Sequence, residues 1–146
     1  MWRRNKRFAL AGAALSTAIA VGVLCLSGGT ATATGASHKL KFIAVDTSQS
    51  TPTKSGAYYE AYVAVASGST TADGVLNCVA GTSSEYCHVA QAYANGIIDA
   101  YFKLNFKTGT LKGTVTGGTG AYKNASGTVN GTPTDAGEAV TVTYTT

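Results

Sequence analysis

Tyr58, Glu60 and Tyr62 stand two residues apart in the run AYYEAYVAVA at 57–66, and in an extended chain such residues share one face. A carboxylate held between two phenols can act as a general base or orient a polar ligand, and burial in an apolar interior would raise its pKa. The opposite face, Tyr59, Ala61, Val63 and Val65, makes an equally good core, and in that register Glu60 is simply solvated. Asp46 ends the preceding run HKLKFIAVD at 38–46, while Asp99 and Tyr101 fall on the more polar side of a later run. His88 shares a strand face with Tyr86, Ala90 and Ala92, a placement that would let it line a lumen. The candidate catalytic residues are therefore Glu60, Asp46 and His88, and the candidate ligand-binding residues are Tyr58, Tyr62 and Tyr101. Residues placed as Asp46, Asp99 and Tyr101 are more often surface than site. No serine occupies a nucleophile elbow.

Cysteine usage depends on what happens to the amino terminus. Arg3, Arg4, Lys6 and Arg7 precede an apolar run from Phe8 to Leu26, and Ala31-Thr32-Ala33 has the small-x-small form of a cleavage site. This reads as an export signal, a helix in residues 1–33, with the mature chain starting at 34 and secreted or extracytoplasmic. The alternative is an uncleaved anchor, since the run approaches the ~20 residues that span a bilayer. Cys25 leaves with the signal, so Cys78 and Cys87 remain as a pair in an oxidising compartment, where a disulfide is expected. Such a short loop contributes about 2.7 kcal/mol by chain entropy; two buried free thiols are the alternative. No metal site is expected, because a Cys pair with His88 offers at most three ligands and adjacent Cys87 and His88 point to opposite faces of a strand.

The whole chain has 11 basic and 7 acidic residues, but four of the basic ones lie in the signal. Seven lysines then face seven carboxylates, and nothing in that balance forms a footprint for nucleic acid. No membrane association is expected once the signal is removed. The 113 residues from 34 to 146 are the size of one domain.

The elements that must position these side chains are all strands. Period-two alternation and β-branched residues predict strands at 38–46, 57–66, 75–80, 85–94, 97–107, 110–116, 128–131 and 139–144. The segments 67–74 and 133–137 read as loops. Ala100, Phe102, Leu104 and Phe106 oppose Asp99, Tyr101, Lys103, Asn105 and Lys107, the clearest single case. Eight short strands with hairpin-length connections suit an antiparallel up-and-down β-barrel, whose closure removes exposed edges. Its interior has room for packed side chains or one small ligand. A β-sandwich is the other architecture that fits.

The segment GGTGAYKNASGTV at 117–129 pairs Gly117, Gly118 and Gly120 with one aromatic anchor, Tyr122, before Gly127-Thr128-Val129 returns to extended structure. The dinucleotide fingerprint would need glycine where Lys123 stands, so phosphate binding is not read here. With its flanks, GTLKGTVTGGTGAYKNASGTVNGT resembles the carboxy-terminal half of the allene oxide cyclase barrel family and the related dirigent proteins. The resemblance implies a calycin-like eight-stranded barrel with a mainly apolar interior, cofactor-free cyclase or isomerase chemistry that shapes a reactive small molecule, and in several members a homo-oligomer. The match does not extend to functional residues. The arginine that follows the alanine in the dirigent segment is Ser126 here, and the histidine before its first-strand aspartate is Val45. The cyclases' first-strand Glu and Asn fall on Ile43 and Val45, so their mechanism is not carried over.

Two functions from different classes follow. The first is an exported barrel that binds a small apolar or aromatic molecule without a cofactor. The second is a non-catalytic secreted structural module whose Thr and Tyr faces contact glycans, a partner protein or a second copy.

Overall fold

The computed structural model describes residues 35–146, so the expected export signal at 1–33 lies outside the described residues. Eight antiparallel strands form a closed barrel in sequential order: β1 (Ser37–Gln49), β2 (Ala57–Ala66), β3 (Ser69–Ala80), β4 (Ser84–Tyr93), β5 (Gly96–Asn105), β6 (Leu111–Gly118), β7 (Ser126–Thr134) and β8 (Gly137–Thr145). The first strand closes on the last, from Ser37 opposite Thr145 to Ala44 opposite Glu138. This is the up-and-down barrel expected from the strand spacing; the sandwich alternative is excluded.

Two expected loops are strand. The segment 67–74 turns in only two residues, Ser67 and Gly68, both left-handed at φ 52° and 78°, which matches the twist of the flanking strands. From Ser69 onward Ala72, Gly74, Leu76 and Cys78 are buried while Asp73, Val75, Asn77 and Val79 are exposed. The Ser, Thr and Gly content of this stretch suggested a turn, but cross-strand pairing overrides that preference. Likewise β7 runs to Thr134, and Pro133 pairs with Glu138 beyond the last β6–β7 pair at Gly131, an edge position that tolerates a missing N–H.

One residue parity faces inward on each strand. Phe42, Tyr58, Tyr62, Leu76, Val89, Ile98, Val115, Val129 and Val142 are buried in a single core. These side chains fill the middle of the barrel, so the packed interior, one of the two expected outcomes, is the observed one. The Gly-rich segment closes one end. Gly120 is left-handed at φ 57°, and a Cβ there would meet Asn95 O at 2.3 Å. The short 3-10 turn Gly120–Tyr122 that follows buries Tyr122. Thr119 N and Ala121 N donate to Ile97 O and Asn95 O at 2.8 and 3.0 Å, which fastens this plug to the β4–β5 turn.

Candidate functional site

The barrel end opposite the Tyr122 plug collects the acidic residues. Asp46 near the end of β1, Glu60 near the start of β2, Glu85 at the start of β4 and Glu138 at the start of β8 all belong to this rim. They are four of the seven carboxylates in residues 35–146.

A register slip in β1 assembles the first part of this cluster. Asp46 pairs with Tyr62, but the next pairs are Ser48 with Ala61 and Gln49 with Glu60. The bulge leaves Thr47 to donate through its hydroxyl to Ala61 O at 2.9 Å. Strict alternation would send Gln49 outward; the slip brings it onto the inward face opposite Glu60. Gln49 Nε2 donates to Glu60 Oε2 at 3.3 Å, and Asp46 lies close enough to raise the Glu60 pKa.

Burial raises the Glu60 pKa to about 8, and nearby Asp46 and Glu85 add to it, while the Gln49 amide pulls the other way. Glu138 is pushed up to about 7, mainly by burial and then by Asp46. Its Oε1 is buried without a hydrogen-bond partner, and Gly131 leaves it room, since a Cβ there would lie 2.7 Å from that oxygen. Tyr58 OH donates to Glu85 Oε2 in a short hydrogen bond. Burial, that bond and the nearby carboxylates hold the Tyr58 phenol well above its ordinary range, so it remains a donor.

Cys78 and Cys87 are cross-strand partners on β3 and β4 and form a disulfide, both buried in the core beside Tyr58 and Phe102 in the adjoining pairs. Glu85 lies close to both sulfurs, with the three ligand-type atoms within 4.8 Å of one another. Because the sulfurs are bonded to each other, they offer no thiolate to a metal.

The sequence-derived candidates therefore separate. Tyr58, Tyr62, Glu60 and Asp46 come to the inward parity; the register in which Glu60 faces solvent is not the one formed. His88 is a correction: it is exposed on the outer face and stacks on Tyr101 at 4.6 Å between ring centroids. The cause is the disulfide, which turns Cys87 inward and so fixes Glu85, Val89 and Gln91 as the inward set of β4. Tyr101, 56% exposed, lies on that same outer face, remote in orientation from Tyr58 and Tyr62. Sequence reasoning missed Glu85, Glu138 and Gln49. Signals existed for the first two: Glu85 is two residues from Cys87, and Glu138 continues the inward parity of Val140, Val142 and Tyr144. Gln49 depends on a bulge that leaves no mark in the sequence.

The opposite end is aromatic. Tyr122 lies between Tyr93 and Tyr144 at centroid distances of 5.4 and 5.6 Å, and His38 stacks on Tyr144 at 5.2 Å. A cavity of about 480 Å³ lies outside the interior, at the rim between the β3–β4 and β5–β6 connections, lined by residues such as Ser83, Lys103, Asn105 and Phe106.

No family model and no curated protein matches the chain. Among solved structures, one described as "Pyocyanin demethylase" superposes with a TM-score of 0.61 at 16% identity, covering 74% of this chain and all of that one. The likeness is one of barrel fold.

Proposed function

We propose that this chain is an extracytoplasmic small-molecule-binding barrel whose carboxylate-lined end receives an apolar or aromatic molecule bearing a hydrogen-bond donor or a positive charge. The observation that carries the reading is the convergence of Asp46, Glu60, Glu85 and Glu138 with the Tyr58 donor at one rim of an otherwise apolar, packed interior. A few polar groups converging beside apolar side chains are the orienting element of a small-molecule site. The barrel likeness to a protein named for demethylating pyocyanin is compatible with small-molecule binding, and the disulfide is compatible with an oxidising compartment.

Where the bound molecule reacts, the chemistry is proton transfer in a cofactor-free cyclisation or isomerisation. Glu60 holds its proton near neutral pH, so it can donate a proton to one atom of a ligand and, once ionised, take one from another. Tyr58, kept neutral, donates a hydrogen bond to an oxygen at the same rim. Orientation of the ligand against these groups supplies the remainder. The test is a fluorophore-displacement screen with lipid, phenol and aromatic-amine libraries, followed by mapping of backbone NMR shifts. The reading expects shifts at Asp46, Gln49, Glu60 and Glu138; shifts confined to the Lys103–Phe106 cavity would refute it.

A further inference from the structure

The outer face of β2–β5 carries six of the seven large hydrophobic residues that are exposed among the described ones: Tyr59, Val75, Val79, Tyr86, Ile97 and Tyr101. An apolar surface concentrated on one sheet face marks an interaction site. Cross-strand registers arrange it in rows. Tyr59, Asn77, His88 and Tyr101 form a central row; Val79, Tyr86 and Lys103 form the row on one side, and Val75, Ala90 and Asp99 the row on the other.

We propose that this face is a self-association surface that pairs with a second copy of the chain about a two-fold axis lying along the Tyr59–Tyr101 row. Such an axis exchanges the two flanking rows. Lys103 of one copy then meets Asp99 of the other, Tyr86 meets the small Ala90, and Val79 meets Val75, so charge and size are complementary at the same time. An axis along the strands would instead set Lys103 and Asp99 against Ala57 and Ala61 and leave both charges unpaired, at a desolvation cost.

Two features within one chain fit this arrangement. Lys103 stands directly opposite Lys112 across β5 and β6, an unfavourable like-charge pair that an incoming carboxylate relieves. The side chains are also held against the sheet: Lys103 Nζ sits 5.3 Å from the Tyr86 ring centroid, and His88 stacks on Tyr101. Groups ordered in advance lose less entropy on association. Residues 35–146 carry seven lysines and seven carboxylates, so no net charge opposes the approach of a second copy.

Sedimentation equilibrium of the purified protein, with Lys103→Glu, Asp99→Lys and the combined variant, tests the assignment. Both sites lie outside the core, and circular dichroism melts check that each variant folds. The wild type is expected as a dimer, each single charge reversal should weaken it roughly tenfold or more, and the combined variant should recover most of the affinity. A wild-type monomer at on the order of 100 μM, far above the range of specific complexes, overturns the proposal. So does a dimer indifferent to both single reversals. Retention of a monomeric chain on an insoluble polysaccharide, lost in Tyr101→Ala, would also overturn it by assigning the row to glycan contact.

Discussion

Gln49 Nε2 donates to Glu60 Oε2 at 3.3 Å across the β1–β2 ladder, and the one-residue slip between Asp46 and Ser48 is what leaves both Gln49 and Asp46 on the Glu60 side of that ladder. Burial, with Asp46 and Glu85 nearby, keeps the proton on Glu60 at pH values where isolated carboxylates are ionised. The barrel therefore presents an acid, rather than a uniformly anionic rim, near neutral pH.

This has a pH consequence of definite sign. The Glu60 pKa is raised from 4.5 to about 8 on folding, so between those values the folded state binds more protons than the unfolded one. Stability then falls as pH rises through that window. Carboxyl-resolved NMR titration should show Glu60 ionising near 8, and Glu60→Gln should flatten the decline in melting temperature between pH 5 and 9. A melting temperature that rises steadily over this range in the wild type, and unchanged in the variant, would be inconsistent with the raised Glu60 pKa.

Tyr58→Phe removes the donor to Glu85 while keeping the buried ring. The expected loss is about 1–2 kcal/mol in urea unfolding, the usual consequence of leaving one partner of a partly buried charged hydrogen bond unmatched.

Gly74 pairs with Tyr62, and a Cβ at position 74 would lie 2.1 Å from two atoms of the Tyr62 ring. Gly74→Ala should cost about 1–3 kcal/mol by overpacking. Tyr62→Leu in the same chain should recover part of that loss, which a general strand-propensity effect would not do.

Cys78→Ala with Cys87→Ala should lower stability by roughly 2–4 kcal/mol in denaturant titrations, because it opens the cross-link and removes buried sulfur from the core. The rim bonds from Gln49 to Glu60 should survive, so the Glu60 titration is expected to persist in the folded fraction.

Much of the architecture was legible in alternation. Val140, Val142 and Tyr144 are buried, as their spacing implied, and the cysteines pair as their hairpin suggested. The strand β3 was hidden in its first half because Ser69, Thr70, Thr71 and Asp73 are outward or rim residues whose types also suit a turn. Which face of β2 is buried was undecidable locally, since both are Tyr- and Val- or Ala-rich; closure settles it by placing Tyr58 beside Cys78 and Tyr62 over Gly74. The rim cluster was the least legible part. It draws Asp46, Glu60, Glu85 and Glu138 from four strands, and only the order in which the barrel closes brings them to one end.

The most direct test of the central claim compares matched ligands at that rim. An aryl trimethylammonium ion and its neutral isostere, each titrated against a displaceable fluorophore at about pH 9, above the raised pKa values of Glu60 and Glu138, should differ in affinity by roughly tenfold in favour of the cation, about 1.4 kcal/mol. The difference should shrink in both Glu60→Gln and Glu138→Gln. Equal affinities for the two ligands, or a preference untouched by either substitution, would contradict the account.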